Sequence, residues 1–317
     1  MKALFIINPS SGTRTMQRMA YNLAHVLTAE QILSSVTITC TTCKGDAMHK
    51  AAAIRTGEYD FVLGAGGDGT ISEIVNGIVS GGSSTPVVIL PAGTCNDFAN
   101  SLGLPRSVET MRKMIAEFHA VPVDIGRLDN SYFLNVAAGG SLSSVAHRVP
   151  TESKTTFGRL AYALEGAKEI ANFDNNRSCP VVIEYDSHHA KERIETDAFL
   201  IVIANSRSAG GFQSIAPKAK INDGLLDICI IKRPPPLEIL PLAAQIQMGT
   251  HVDNSKYITY FQTKKLTLTA VDTDIPFPLD YDGEQGGTLP MTAEVVPAGI
   301  TLVVPKNSKK LRQVLSD

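Results

Sequence analysis

The stretch Phe61-Val62-Leu63-Gly64-Ala65-Gly66-Gly67-Asp68-Gly69-Thr70-Ile71-Ser72-Glu73-Ile74-Val75-Asn76-Gly77-Ile78 changes its hydrophobic period once. Phe61–Leu63 is a continuous apolar run, as a strand buried on both faces requires. Ile71, Ile74, Val75 and Ile78 then recur at intervals of three and four, the spacing of one helix face. Between them lies Gly66-Gly67-Asp68-Gly69-Thr70. Glycines at a strand-to-helix turn let the backbone come close to a polyphosphate, and the helix start offers unpaired N–H groups to anions. Asp68 is the awkward member, because a carboxylate repels phosphate unless a cation lies between them. Mg²⁺ is therefore expected, direct or through water. A turn with no ligand would account for the glycines but not for the acid.

Moving outward, the same alternation fills the first 125 or so residues. Ala3–Ile7 reads as a strand, followed by Met16, Met19, Ala20, Leu23 and Leu27 at helical spacing. Val36, Ile38 and Cys40 alternate as a strand, and Asp46 is placed to cap a helix through Ala51 and Ile54. Val87–Leu90 is a further strand, and Ser107 caps a helix carrying Val108, Met111, Met114 and Ile115. This β-α-β-α order predicts a mostly parallel open sheet with helices on both faces. Loops after the carboxyl ends of such strands converge on a ligand crevice. Those loops are Asn8-Pro9-Ser10-Ser11-Gly12, Thr41, the glycine turn, and Pro91-Ala92-Gly93-Thr94-Cys95-Asn96-Asp97. Neither the phosphate-loop lysine motif nor the dinucleotide glycine fingerprint is present, so the nucleotide would be held another way.

After Val123-Asp124-Ile125-Gly126 the pattern shifts to short strands: Tyr132–Ala138, Val181–Tyr185, Ala198–Ala204, Leu225–Ile231, Leu266 to Ala270 and Thr301–Val304. Helical segments near Phe157–Phe173 and Leu237–Met248 interrupt them. The expectation is an α/β nucleotide-binding domain over residues 1–127 and a mainly antiparallel β-sandwich over 128–304. The tail 305–317, with Lys306, Lys309, Lys310 and Arg312, either packs back on the first domain or meets anionic lipid. The Leu237–Met248 helix is apolar around much of its circumference, so it is buried or dips into a bilayer.

Composition narrows the function classes. The 317 residues carry a formal net charge of −2, against the basic excess a nucleic-acid binder needs. Five scattered cysteines, an odd number, indicate reduced thiols and a cytoplasmic home. Cys40-x-x-Cys43 has no second pair to complete a zinc tetrahedron, and the seven histidines show no metal spacing. No segment approaches the ~20 apolar residues of a membrane span, so any membrane contact is peripheral. No serine lies in a G-x-S-x-G elbow, which leaves a hydrolase without its nucleophile.

Gly66-Gly67-Asp68-Gly69-Thr70 with Glu73 and Asn76-Gly77 resembles the diacylglycerol kinase catalytic-domain family, which includes sphingosine kinases and bacterial lipid kinases. The likeness continues through Gly45-Asp46-Ala47, Leu90 to Ala99, Asp124-Ile125-Gly126, Asn205-Ser206-Arg207-Ser208-Ala209-Gly210-Gly211 and Asp282-Gly283-Glu284. It looks closest to the soluble bacterial members. The resemblance implies an ATP- and Mg²⁺-dependent lipid kinase. Its nucleotide would lie on Gly66, Gly67, Asp68, Gly69, Thr70, Ile71, Ser72 and Glu73, with Thr41, Thr94, Asn96, Asp97 and the Asn8–Gly12 loop around it. Asp68 would belong to the catalytic magnesium network, and Glu284 would be the general base. A second, structural Mg²⁺ would fall on the Lys220 carbonyl, the Asp223 carboxylate and the Leu225 carbonyl. Read from the residues alone, Asn222-Asp223-Gly224 is a hairpin turn. With the base in the second domain and the nucleotide in the first, catalysis is expected in a cleft between domains. The lipid substrate places the protein at the inner membrane face, and an exposed β edge offers a route to a homodimer.

Two rivals differ in kind. An NAD kinase shares the Gly-Gly-Asp-Gly-Thr loop but should show Asn-x-Gly-x-x-Gly-Phe-Leu and Gly-Ser-Thr-Ala-Tyr downstream, where this chain has Leu90 to Asp97. A nucleotide-binding regulator without turnover should have lost Asp68 or Glu284, and both are present.

Overall fold

Apolar runs such as Ala3–Ile7 and Phe61–Ala65 bury both faces of a strand, and in the computed structural model they form the centre of a parallel sheet. The structure describes residues 1–12, 14–93, 96–140, 178–187, 190–209, 212 and 214–316. The helix expected near Phe157–Phe173, and Thr94, Cys95, Gly210 and Gly211, lie outside the described residues. By internal packing the chain divides into Met1–Ile125 with Pro297–Asp317, and Gly126–Val296.

In the first unit, β1 (Lys2–Ile7), β2 (Ser35–Cys40), β3 (Phe61–Gly66) and β4 (Val87–Pro91) run parallel in the order β2-β1-β3-β4. Every residue of β3 and β4 is buried. On one face, Leu23 and Leu27 of α1 (Arg14–Ala29) and Met111, Met114 and Ile115 of α5 (Val108–Glu117) join Phe5, Phe61, Leu63 and Leu90 in one core. Elsewhere α2 (Asp46–Ala52) packs on α3 (Asp68–Ser80) so closely that a Cβ on Gly77 would lie 2.3 Å from the Met48 carbonyl oxygen. Ser107 caps α5 by accepting from Thr110 N, as expected. For α2 the cap is Gly45, in the left-handed region with φ 82°, and Asp46 is the first helical residue. The Asp46 carboxylate instead accepts from Thr42 N at 2.8 Å and pairs with Lys50, which hold its carboxyl down at about 2. The tail forms α8 (Lys309–Val314), beside α4 (Asp97–Leu102): Ser308 Oγ donates to the Leu102 carbonyl at 3.1 Å and Lys310 Nζ to that of Asn100 at 3.2 Å.

The second unit is an antiparallel sandwich. One sheet runs in the order β12 (Ile258–Thr263), β11 (Leu226–Ile231), β10 (Leu200–Ala204), β7 (Val136–Gly140), β14 (Leu279–Tyr281), β15 (Glu284–Gln285). The other contains β13 (Lys265–Ala270), β8 (Cys179–Asp186) and β9 (Lys191–Ala198), with β13 also paired to β16 (Met291–Val303). Period-two alternation sorts the side chains. Ile201, Ile203, Ile228 and Ile230 face the core with Val181, Ile183, Leu266 and Leu268. Val202, Ala204, Cys229 and Ile231 face the opposite way, against Leu242 and Ile246 of α6 (Pro236–Met248). Central strands β10 and β11 are thus covered on both sides, which explains the unbroken apolar sequence of β10 and a run in β11 that only Asp227 interrupts.

Two expectations for the strands of this unit are corrected, and one strand was not foreseen. Tyr132–Ala138 is two strands, β6 (Ser131–Phe133) and β7, broken at Leu134-Asn135 because a distant carboxylate captures the N–H groups there. Ala198–Ala204 breaks at Phe199, where β9 ends before β10 begins. Strand β9 itself, with Lys191, Glu192, Arg193 and Glu195, has no apolar signature; it is a charged edge, which resists pairing with another chain.

Candidate functional site

In the first unit the register brings four strand ends level. Ile7 pairs with Cys40 and with Ala65, and Gly66 with Pro91, so the loops that follow share one edge of the sheet. Asn8 Nδ2 donates to Thr70 Oγ1 at 2.8 Å, tying the first loop to the glycine turn, and Gly67 N reaches Ser11 Oγ at 3.4 Å. Turns Gly67 and Gly93 touch through bare backbone: a Cβ on Gly93 would lie 2.5 Å from the Gly67 Cα. No side chain caps α3, so its first turn presents N–H groups and the positive end of the helix dipole. Asp97, buried, donates its backbone N–H to Asp68 Oδ2 at 3.3 Å, which puts two acidic residues side by side at the same edge.

Two expected nucleotide residues, Glu73 and Asn96, have their side chains engaged by the backbone. The Glu73 carboxylate accepts from Gly45 N at 2.8 Å and Ala47 N at 3.1 Å, so it closes the start of α2. Asn96, at φ 48°, accepts from Gly93 N at 2.9 Å and donates back to the Gly93 carbonyl, which shapes the turn itself. Thr41 bonds through its backbone N to the Ile7 carbonyl at 2.8 Å.

In the second unit, Glu284 follows a two-residue turn between β14 and β15, in which Tyr281 pairs with Glu284. Asp282 (φ 50°) and Gly283 (φ 86°) both occupy the left-handed region, as such a tight hairpin demands. The turn is anchored by Asp282, whose buried carboxylate accepts from Leu134 N at 2.6 Å, Asn135 N at 2.9 Å and Val136 N at 3.0 Å. From the other side, Asn205 Nδ2 donates to the Leu134 carbonyl at 2.8 Å and Ser206 Oγ to Asn135 Oδ1. The Asn205-Ser206 and Asp282-Gly283-Glu284 segments therefore grip the same piece of backbone.

Lys220, Asp223 and Leu225 border a turn that enters β11, but no strand leads into it, so it is not a hairpin. Buried Ala219 and Ile221 hold the incoming chain, and Asp223 Oδ1 accepts from Leu225 N at 3.1 Å. A carbonyl-rich turn with one carboxylate is a donor set that suits a hard cation. Two residues on, Asp227 Oδ1 accepts from Tyr260 and, at 3.2 Å, from Gln262. Burial pushes the Asp227 carboxyl up to about 7, although both hydrogen bonds oppose the shift. An acid inside the apolar run Leu225–Ile231 is the signal that marks it in the sequence.

The diacylglycerol kinase catalytic-domain model matches residues 2–128, and the model of the YegS C-terminal NAD kinase beta sandwich-like domain matches 135–304. The Bacillus subtilis diacylglycerol kinase is 34% identical over 307 residues, covering 96% of this chain and 97% of its own. That of Staphylococcus carnosus is 30% identical over 317 residues, covering 100% and 99%. The chain belongs to the diacylglycerol kinase catalytic-domain family. At that level it is a lipid kinase. A solved Bacillus anthracis diacylglycerol kinase superposes with a TM-score of 0.72 at 23% identity, covering 96% of this chain and 97% of that one, so the two share a fold. The Asp68 and Gly93 turns meet at one sheet edge, while Thr94 lies outside the described residues.

A member of this family needs a divalent cation on the phosphates, and the residues present fit one. Mg²⁺ takes oxygen ligands and is usually held by one or two carboxylates plus phosphate oxygens and water. Asp68, with Asp97 at the same edge, would supply such carboxylates, and among the described residues no cluster of three or more His, Cys, Asp and Glu forms an all-protein cage.

Proposed function

We propose that this protein transfers the γ-phosphate of ATP, with Mg²⁺, to the hydroxyl of a lipid, diacylglycerol giving phosphatidic acid, in the cytoplasm at the inner membrane face. One observation carries the reading: the uncapped start of α3, the two bare glycine turns and the Asp68–Asp97 pair share one sheet edge. Bare backbone at Gly67 and Gly93 admits a polyphosphate, and the N–H groups of the α3 first turn complement its charge. Asp68, with Asp97 beside it, would hold Mg²⁺, which when bound neutralises charge on the transferring phosphoryl group. Glu284 accepts the proton of the acceptor hydroxyl as the new oxygen–phosphorus bond forms and the bond to the ADP oxygen breaks. The first unit then serves the nucleotide, and the second supplies the base. A second Mg²⁺ on the Lys220 carbonyl, Asp223 and the Leu225 carbonyl would stiffen the entry to β11.

The test is transfer of labelled γ-phosphate in the presence of Mg²⁺ and a panel of lipid acceptors. Label in the organic phase supports the proposal. Label on NAD would favour an NAD kinase, and ATP binding without transfer a silent regulator. Glu284→Gln should lower kcat by roughly 100- to 10,000-fold, the range of general-base catalysis, with ATP affinity little changed. An unaltered kcat would place the base elsewhere.

A further inference from the structure

The helix α6 is apolar on both of its faces. Its inward side, Leu242 and Ile246, packs under β10 and β11. Every exposed position within the helix after its first residue is also apolar: Leu237, Leu240, Pro241, Ala244 and Met248. At 3.6 residues per turn these five fall on one stripe, about 100° wide. Leu237 is 92% exposed, Met248 68% and Leu240 50%. The other large exposed apolar side chains among the described residues, Tyr21, Met48 and Val271, lie elsewhere in the chain, on α1, on α2 and just after β13. Polar residues Glu238, Gln245 and Gln247 are half-buried and flank the stripe, the reverse of an ordinary surface helix.

Cations gather where the helix begins. Lys232 and Arg233 are exposed just before Pro234-Pro235-Pro236, and Lys232 N bonds to the Tyr257 carbonyl at 2.8 Å, which brings in the next cation, Lys256. Lys256 lies 5.0 Å from the Tyr257 ring centre and 3.9 Å from Glu238 in the first turn of α6. Lys256 thus pairs with Glu238 beside Tyr257 at the start of the apolar ridge, and two further exposed cations, Lys232 and Arg233, precede it in the chain. This combination suits the boundary of an anionic bilayer, where acyl chains take the ridge and headgroups take the cations. A second copy is a poorer match, since a stable protein interface takes about 20–30 residues a side and this ridge has five.

We propose that α6 docks this protein on anionic lipid by laying the Leu237–Leu240–Pro241–Ala244–Met248 ridge into the bilayer surface, with Lys232, Arg233 and Lys256 on the headgroups. The proposal deepens the lipid-kinase reading and rests on it for the identity of the partner.

The test sediments the full chain with equimolar phosphatidylglycerol–phosphatidylcholine vesicles and with phosphatidylcholine alone, in the absence of ATP. The wild type should pellet with the anionic vesicles. The combined Leu237→Gln, Leu240→Gln and Met248→Gln variant should lose at least about tenfold in apparent affinity at an unchanged Tm. Its kcat on a water-soluble short-chain diacylglycerol should equal that of the wild type. Lys232→Glu with Arg233→Glu, which keeps the ridge, should weaken binding to the anionic vesicles only. Equal pelleting of the triple variant and the wild type, or no pelleting of the wild type, overturns the docking. So does a wild-type dimer that the triple variant converts to a monomer without any change in vesicle binding. Ridge-dependent pelleting with no lipid turnover would support the docking and overturn the kinase reading. Turnover with ridge-independent pelleting would do the opposite.

Discussion

At the scale of single residues, the site depends on atoms that are missing as much as on atoms that are present. Gly93 has no room for a methyl group, because the neighbour is the Gly67 backbone and cannot rotate away. Gly93→Ala should part the two turns and lower kcat/KM for ATP on the order of 100-fold, the usual consequence of misplacing a reacting group by about 1 Å. Steady-state kinetics and nucleotide titration check this; unchanged values would mean the turns do not need their contact. Asp282 acts through position. Replacing it by Ala leaves two buried N–H groups and one half-buried one without their acceptor, each buried one worth about 1–3 kcal/mol, so Asp282→Ala should unfold at lower denaturant concentration. Asp282→Asn keeps one oxygen acceptor and should fold, yet lower kcat by about 10- to 100-fold at constant ATP affinity, because a loosened turn lets Glu284 wander. Equal kcat for the Asn variant and the wild type would confine Asp282 to a structural role.

Among elements, the contrast between strands explains what the primary sequence disclosed. β1, β3 and β4 are sequence-legible because being buried on both faces demands an unbroken apolar run. β9 was illegible because an edge strand carries charge for reasons of solubility, not of period. The β6–β7 break was illegible for another reason: Leu134 and Asn135 have ordinary strand chemistry, and the carboxylate that interrupts the ladder is Asp282, far along the chain. The turn before β11 makes an element-level prediction. If Lys220, Asp223 and Leu225 bind Mg²⁺, adding EDTA should lower the wild-type Tm, and Asp223→Ala should remove that difference. Equal Tm values with and without EDTA in the wild type would dismiss the second metal.

For the molecule as a whole, pH offers a probe that does not depend on catalysis. His251 in α7 (His251–Asn254) is fully buried, with Nε2 3.0 Å from the Ile215 carbonyl oxygen. Burial holds its pKa below the ordinary value, the contacts with Ile215 and Gln245 opposing in part. Folding therefore favours the neutral ring. Its stabilising contribution is complete above about pH 6.5 and is lost as pH falls through the lower folded value, because the unfolded chain takes up the proton first. The wild-type Tm should fall on acidification from neutrality, and His251→Gln should flatten that slope even if it lowers Tm throughout. Parallel profiles would assign the acid sensitivity to other groups. By itself the sequence determined the two fold classes, the order of the main strands and the glycine turn around Asp68, because periodicity and backbone freedom are local properties written in neighbouring residues. Only the tertiary structure decided that Glu73 closes a helix, that Gly67 meets Gly93, that Asp282 fastens the Glu284 turn and that α6 turns an apolar face outward. Each depends on groups brought together by packing across long sequence separations, where residue type says what a side chain is able to do and not which partner it will find.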